Sequence, residues 1–249
     1  MGETAVAPPT PEESDSFLSR AVGVFISPGA AFESIAQRPN FLAPLIVVTV
    51  ATIAVIEAML DKLGAEQIAR RSIEMTKQAA SLSADQIAQQ AHQAAPITAI
   101  FMRVIGVLAP VVMVLIIAAV GLFIANVLFG GKANFKTAFS VVCYADLVGL
   151  VGGVLTAVMV FFGDPEQFNV QNPIPSNVGF FLNMHDTPKA LYAIASSFDI
   201  FTIWMLLLTA LGLSAATARK ARPVPIFLSY MGIWIVWVLI KAGLALATG

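Results

Sequence analysis

Charge is scarce in this sequence: 12% of its 249 residues are Asp, Glu, Lys or Arg, where a soluble globular domain carries about 25%. Too few charges remain to wet the surface of a chain that is 58% hydrophobic, and those present cluster between long apolar runs. That pattern excludes an ordinary water-soluble globule and indicates lipid as the main solvent. Excess positive charge is missing too. At a net charge of -1 there is no basic face to neutralise phosphates, so no nucleic acid partner is expected. A single cysteine, Cys143, rules out an intrachain disulfide; within an apolar run it reads as a small buried hydrophobe. His92 and His185 are the only histidines. His185 beside Asp186 does not make a metal site. Neither a nucleophile elbow nor a phosphate loop is present, so no catalytic residue, cofactor or metal is assigned. The stretch 1–16 is acidic and proline-bearing, with no basic or apolar region before residue 17, and reads as a disordered tail rather than a signal peptide.

What the chain does have is apolar length. About 20 apolar residues cross a bilayer core as a helix. Five runs reach that length, at about 41–60, 99–129, 138–162, 190–216 and 226–247. Pro110 lies inside the second, whose excess length tilt or a kink can absorb. The expected fold is an all-α polytopic membrane protein, a bundle of five transmembrane helices spanning 41–247.

Basic residues on short loops resist translocation and so set orientation. Lys132 and Lys136 lie between spans two and three, and Arg219, Lys220 and Arg222 between spans four and five. Both loops fall on one side. The expected topology puts the N-terminus in the cytoplasm and the C-terminus outside a bacterial cytoplasmic (inner) membrane. The segment 61–96, assigned outside, dissents mildly with Lys62, Arg70, Arg71 and Lys77.

Three segments lie outside the spans. Residues 17–40 read as two short amphipathic helices on the cytosolic face: Phe17, Leu18, Ala21, Val22 and Phe25 repeat at helical spacing around Arg20. Ser27 and Pro28 then form a cap and first-turn pair. This segment suits equally a place at the lipid headgroups or a lid on the bundle. The outer insertion 61–96 is built of helix formers and reads as a helical hairpin, with Ser83 and Gln86 as a capping box. Its apolar residues face the bundle or a second copy of the chain. The outer loop 164–188 is polar at both ends, with the apolar patch Val178 to Leu182 between them.

Five polar residues lie in or near the spans: Glu57, Asn126, Asp146, Asp199 and Lys241. An ionised group in a span normally faces the bundle and finds a partner. At about 1.5 Å per residue, Asp199 lies roughly 13 Å and Lys241 roughly 9 Å below the outer surface, close enough to expect an ion pair joining spans four and five. Glu57 is shallower. Asn126 and Asp146 are placed to hydrogen-bond between spans two and three. Gly149 and Gly153 form a GxxxG pattern that permits close helix approach.

Several stretches carry a family resemblance. They are Ser196-Ser197-Phe198-Asp199-Ile200-Phe201-Thr202-Ile203-Trp204, then Gly232-Ile233-Trp234-Ile235-Val236-Trp237 with Lys241-Ala242-Gly243-Leu244. Phe25-Ile26-Ser27-Pro28 and the turn Gly130-Gly131-Lys132-Ala133-Asn134-Phe135-Lys136 add to them. Together they resemble bacterial members of the Yip family, over roughly residues 18–247. The resemblance implies five spans, a cytosolic N-terminus and, for eukaryotic relatives, roles in vesicle trafficking and membrane shape. The Asp-Leu-Tyr-Gly-Pro type sequence of those relatives is absent, so GTPase binding is not carried over.

The function expected is that of a non-enzymatic membrane protein that scaffolds or organises membrane components. Its partners would be the lipid bilayer, other membrane proteins and a second copy of the chain. The alternative is a transporter or lipid-handling protein using Asp146, Asp199 and Lys241, although an odd span count and the lack of an internal repeat speak against it.

Overall fold

The computed structural model of the chain describes residues 16–76, 79, 81–164, 168–183 and 186–248. The tail 1–15, Lys77, Glu166 and His185 lie outside the described residues. Among the described residues the structure is helical, with no strand.

Two short helices come first, α1 (Phe17–Ile26) and α2 (Pro28–Gln37). Ser16 caps α1 by accepting from the Ser19 amide at 3.1 Å. Ser27 stands at the N-cap of α2, but its side chain makes no cap hydrogen bond; Pro28 at the first position opens that helix instead. Helix α2 is a lid: Phe32 and Ile35 are fully buried against the bundle.

Helix α3 (Leu42–Leu63) is the first crossing and ends at Gly64, whose φ of 78° suits glycine. Helix α4 (Ala65–Glu74) lies at that end of the bundle. There it buries Ile68 with Met59, Leu63, Val160 and Phe168. Helix α5 (Ala84–Leu122) starts at a complete capping box: the Ser83 hydroxyl accepts from the Gln86 amide at 3.2 Å, and the Gln86 side chain accepts from the Ser83 amide at 2.8 Å. The helix runs on through Pro96 and Pro110. It continues into a π-helical turn, Phe123–Leu128, giving 45 residues in all. The second arm of the hairpin expected over 61–96 and the second span are therefore one helix. About 67 Å long at 1.5 Å per residue, it exceeds the roughly 30 Å core and projects beyond it.

The third crossing is Phe135–Phe162, interrupted at Asp146 and Leu147 between α6 (Phe135–Ala145) and α7 (Val148–Phe162). After a short 3-10 turn at Val178–Phe181 come α8 (Lys189–Ser197) and α9 (Ile200–Ala216), which together cover the expected fourth span of about 190–216 and are bent by 45° at a break between them. Helix α10 (Pro223–Thr248) closes the chain. Four helices are long and apolar enough to cross a membrane singly, and the bent pair passes the same test together. The pair runs from one end of the bundle to the other. Tyr192 of α8 hydrogen-bonds Asn169, in the connection that follows α7, whereas Thr217 after α9 abuts the turn between spans two and three. A re-entrant loop would return to its own side.

Both basic loops meet at one end. A Cβ on Gly131 would lie 2.5 Å from Thr217 Cγ2, and Arg219 pairs with Glu33 of α2. At the opposite end Arg71 of α4 donates to the Phe168 carbonyl. The main core lies toward the basic end, where Val24, Phe32, Ile35, Tyr144, Leu213 and Ile226 are buried together. Gly212 allows this closeness. A Cβ there would come within 2.3 Å of Val141 and 2.7 Å of Phe32.

Candidate functional site

The five polar residues of the spans occupy four separate places. Glu57 faces a partner that sequence reading did not name. Arg103 of α5 grips its carboxylate with two hydrogen bonds, of 2.6 and 2.8 Å, across the α3–α5 seam. The two residues stand 46 apart in sequence, so only the helix packing reveals the pair. Both side chains are about half exposed, at 49% and 46%.

Asn126 does not reach Asp146. Its amide donates to the Ala133 carbonyl at 2.8 Å and accepts from the Ala133 amide at 2.9 Å. The side chain thus closes the turn at Gly130 and Gly131, where the Gly131 amide also bonds the Ala125 carbonyl. Its work is local, as a substitute for backbone hydrogen bonds in the last turn of a helix.

Asp146 sits at the break between α6 and α7, where the Gly149 amide bonds its carbonyl at 2.8 Å. Asp146 is among the residues lining a cavity of about 420 Å³ between α3, α5, α7 and α9. Gly149 and Gly153 border the same space. A Cβ on Gly153 would only touch Val55, at 3.7 Å, so the GxxxG pair here leaves an opening instead of sealing a tight helix contact.

Asp199 and Lys241 do share a place, a second cavity of about 450 Å³ at the end away from the basic loops. They are not bonded to each other. Asp199 is the N-cap of α9: one carboxylate oxygen accepts from the Phe201 and Thr202 amides at 2.9 and 3.0 Å, and Ser176 donates to the other. A carboxylate satisfied in this way ends α8 and starts α9. The Lys241 ammonium donates instead to the Ser197 hydroxyl at 3.1 Å. The rest of the wall is zipped by side chains, with Asn172 and Asn177 exchanging two amide hydrogen bonds of 3.1 and 2.8 Å. This loop contribution is not legible in the sequence, because Asn172, Ser176 and Asn177 lie in an irregular segment with no period to read.

Cys143 is 1% exposed, as a small buried hydrophobe should be. His92 bonds Glu66 at 2.9 Å, joining α4 to α5.

The segments that carried the family resemblance thus hold the α9 cap, the Asn126 turn and the lid helix in one frame. A profile of the Yip1 domain matches residues 22–242. The chain belongs to the Yip1 domain family. Among relatives with a curated description, Membrane protein YknW of Bacillus subtilis (strain 168) is 27% identical over 201 residues, covering 80% of each chain. No solved structure matches the chain. The Yip1 domain reaches from α1 to α10, so both cavities and the lid helix lie within it.

Proposed function

We propose that this Yip1 domain protein organises its membrane without catalysing a reaction, by holding a short amphipathic helix in one leaflet as a wedge. The observation that carries this reading is the outward face of α1. Leu18, Val22 and Ile26, four residues apart on one stripe, are 70%, 54% and 78% exposed. On its other face the helix is fastened. Val24 is fully buried, and the buried Arg20 reaches the Arg38 carbonyl at the end of α2 at 2.8 Å. Such a helix rests with its apolar stripe in the headgroup and acyl boundary. Its anchor, the lid α2, cannot leave without opening the core.

The basic loops around α1 and α2 support a cytoplasmic position for that end, since short basic segments resist translocation. The membrane is then the bacterial cytoplasmic membrane, with the C-terminus outside. Lipid is the direct partner, and other membrane proteins are organised through it.

The test is reconstitution at high protein density into liposomes of defined radius. The parent protein should narrow or tubulate the vesicles. A variant carrying Leu18→Glu, Val22→Glu and Ile26→Glu should insert equally and leave them unchanged, because no buried contact is lost. Equal reshaping by both proteins, or none by the parent, would refute the wedge.

A further inference from the structure

We infer that the cavity beside Asp146 binds a bilayer-dissolved molecule with an apolar body and a single protonated amine, which the Asp146 carboxylate holds. This site is independent of the wedge at α1.

The cavity, about 420 Å³, falls in the range of roughly 300–1,000 Å³ usual for small-molecule pockets. Thr52, Val55, Pro110, Met113, Gly149 and Gly153 are among its walls, which are overwhelmingly apolar. Thr52 has already spent its hydroxyl proton on the Val48 carbonyl, at 2.9 Å. The carboxylate of Asp146 is therefore the chemical handle. Among the described residues no hydrogen bond reaches it, and no Lys, Arg or His nitrogen lies within 4.0 Å.

Depth makes a carboxylate without a protein partner informative. Asp146 is eight residues into the apolar run that begins at about 138, roughly 12 Å along it at 1.5 Å per residue, well inside a roughly 30 Å core. An ionised group at that level is expensive unless paired. An ammonium would neutralise it, an alcohol would leave the charge standing, and an acid would be repelled. Gly149 keeps the approach open, since a Cβ there would sit 3.9 Å from the Asp146 carboxylate. Gly149 and the half-exposed Met113 lie on the flank of the bundle, so the ligand enters sideways from lipid.

The experiment measures equilibrium binding of labelled dodecylamine to the full chain in phosphatidylcholine nanodiscs, with empty nanodiscs as the reference for partitioning. The expected result is saturable binding of one amine per chain. Unlabelled dodecylamine should compete; dodecanol and dodecanoate should not. Asp146→Asn should weaken binding about tenfold or more, the loss of one charge-assisted hydrogen bond. Gly149→Leu retains the carboxylate but fills the approach, and should weaken it comparably. Adding phosphatidylethanolamine separates two sources of the same chemistry. Competition by it assigns the amine to a lipid headgroup, and its failure to compete assigns a free lipophilic amine. Absence of saturable binding, equal competition by dodecanol, or unchanged binding in Gly149→Leu would overturn the proposal.

Discussion

The two ends of this bundle are held together by different physics. At the basic end the helices converge on a dry core in which Phe32, Ile35, Val141, Leu213 and Ile226 are fully buried. Gly212 lets α9 approach α2 and α6 closely enough for those side chains to interlock. At the other end α8 bends 45° away from α9. Beside the bend lies a cavity of mixed lining, with Asn172, Ser176, Asn177 and Asp199 on its polar side. One end is fixed by shape and the other by hydrogen bonds. The division matches what each end can use: contact between close-fitting surfaces drives helices together in lipid, where apolar burial from water is unavailable. Irregular backbone with side-chain hydrogen bonds is tolerated where it lines a cavity.

The largest expected effect is therefore at the shaped end. Phe32→Ala removes a fully buried ring from a close-packed apolar core and should cost about 3–5 kcal/mol. Reversible unfolding in mixed detergent micelles measures this. The lid α2 should also become open to protease, since Phe32 and Ile35 are what hold it. A loss under about 1 kcal/mol would mean that the lid is not packed as described. At the polar end, Asp199→Ala removes the cap of α9 and the acceptor for Ser176. Its expected cost is smaller, about 1–2 kcal/mol, because water reaching the cavity can satisfy the freed amides. Asp199→Asn, which keeps an acceptor oxygen, should recover most of it. If Asp199→Ala costs more than Phe32→Ala, the contrast between the ends is wrong.

How much of this was readable in the sequence follows the same division. The crossings were legible because lipid demands apolar runs of a fixed length. The Ser83 and Gln86 box was legible because a cap is a local pattern. Asp199 was harder. A carboxylate within an apolar run reads alike as a buried charge seeking a cation or as the cap of a new helix, and only the 45° bend decides for the cap. The Ser196-Ser197-Phe198-Asp199 stretch did carry a signal, since Asp immediately before an apolar run is a usual helix start. Arg103 on Glu57, and Ser197 under Lys241, were beyond reach. Each partner is more than forty residues away, and helix rotation, which sequence period fixes only loosely, chooses between neighbours. Asn126 was misread because its partner lies across a turn seven residues on, not on the facing helix. Pro96 looked like a boundary, yet α5 continues through it.

The smallest effect is the most discriminating. Equal depth alone would make Asp199 and Lys241 an ion pair, and removing both would then cost less than the two single losses summed. The structure instead gives each its own partner, Ser176 for Asp199 and Ser197 for Lys241. A double-mutant cycle over Asp199→Ala and Lys241→Ala should therefore show less coupling than the Ser176 cycle, only what the cavity they both line transmits. The cycle over Asp199→Ala and Ser176→Ala should show about 1 kcal/mol or more, because Ser176 donates directly to that carboxyl group. Both cycles share the Asp199→Ala arm, so any general loosening of α9 cancels between them. What is left is the choice of partner. Strong coupling to Lys241 with none to Ser176 would mean that the bend between α8 and α9 is held by charge across spans, and the polar end would then owe its form to an ion pair instead of to its loop.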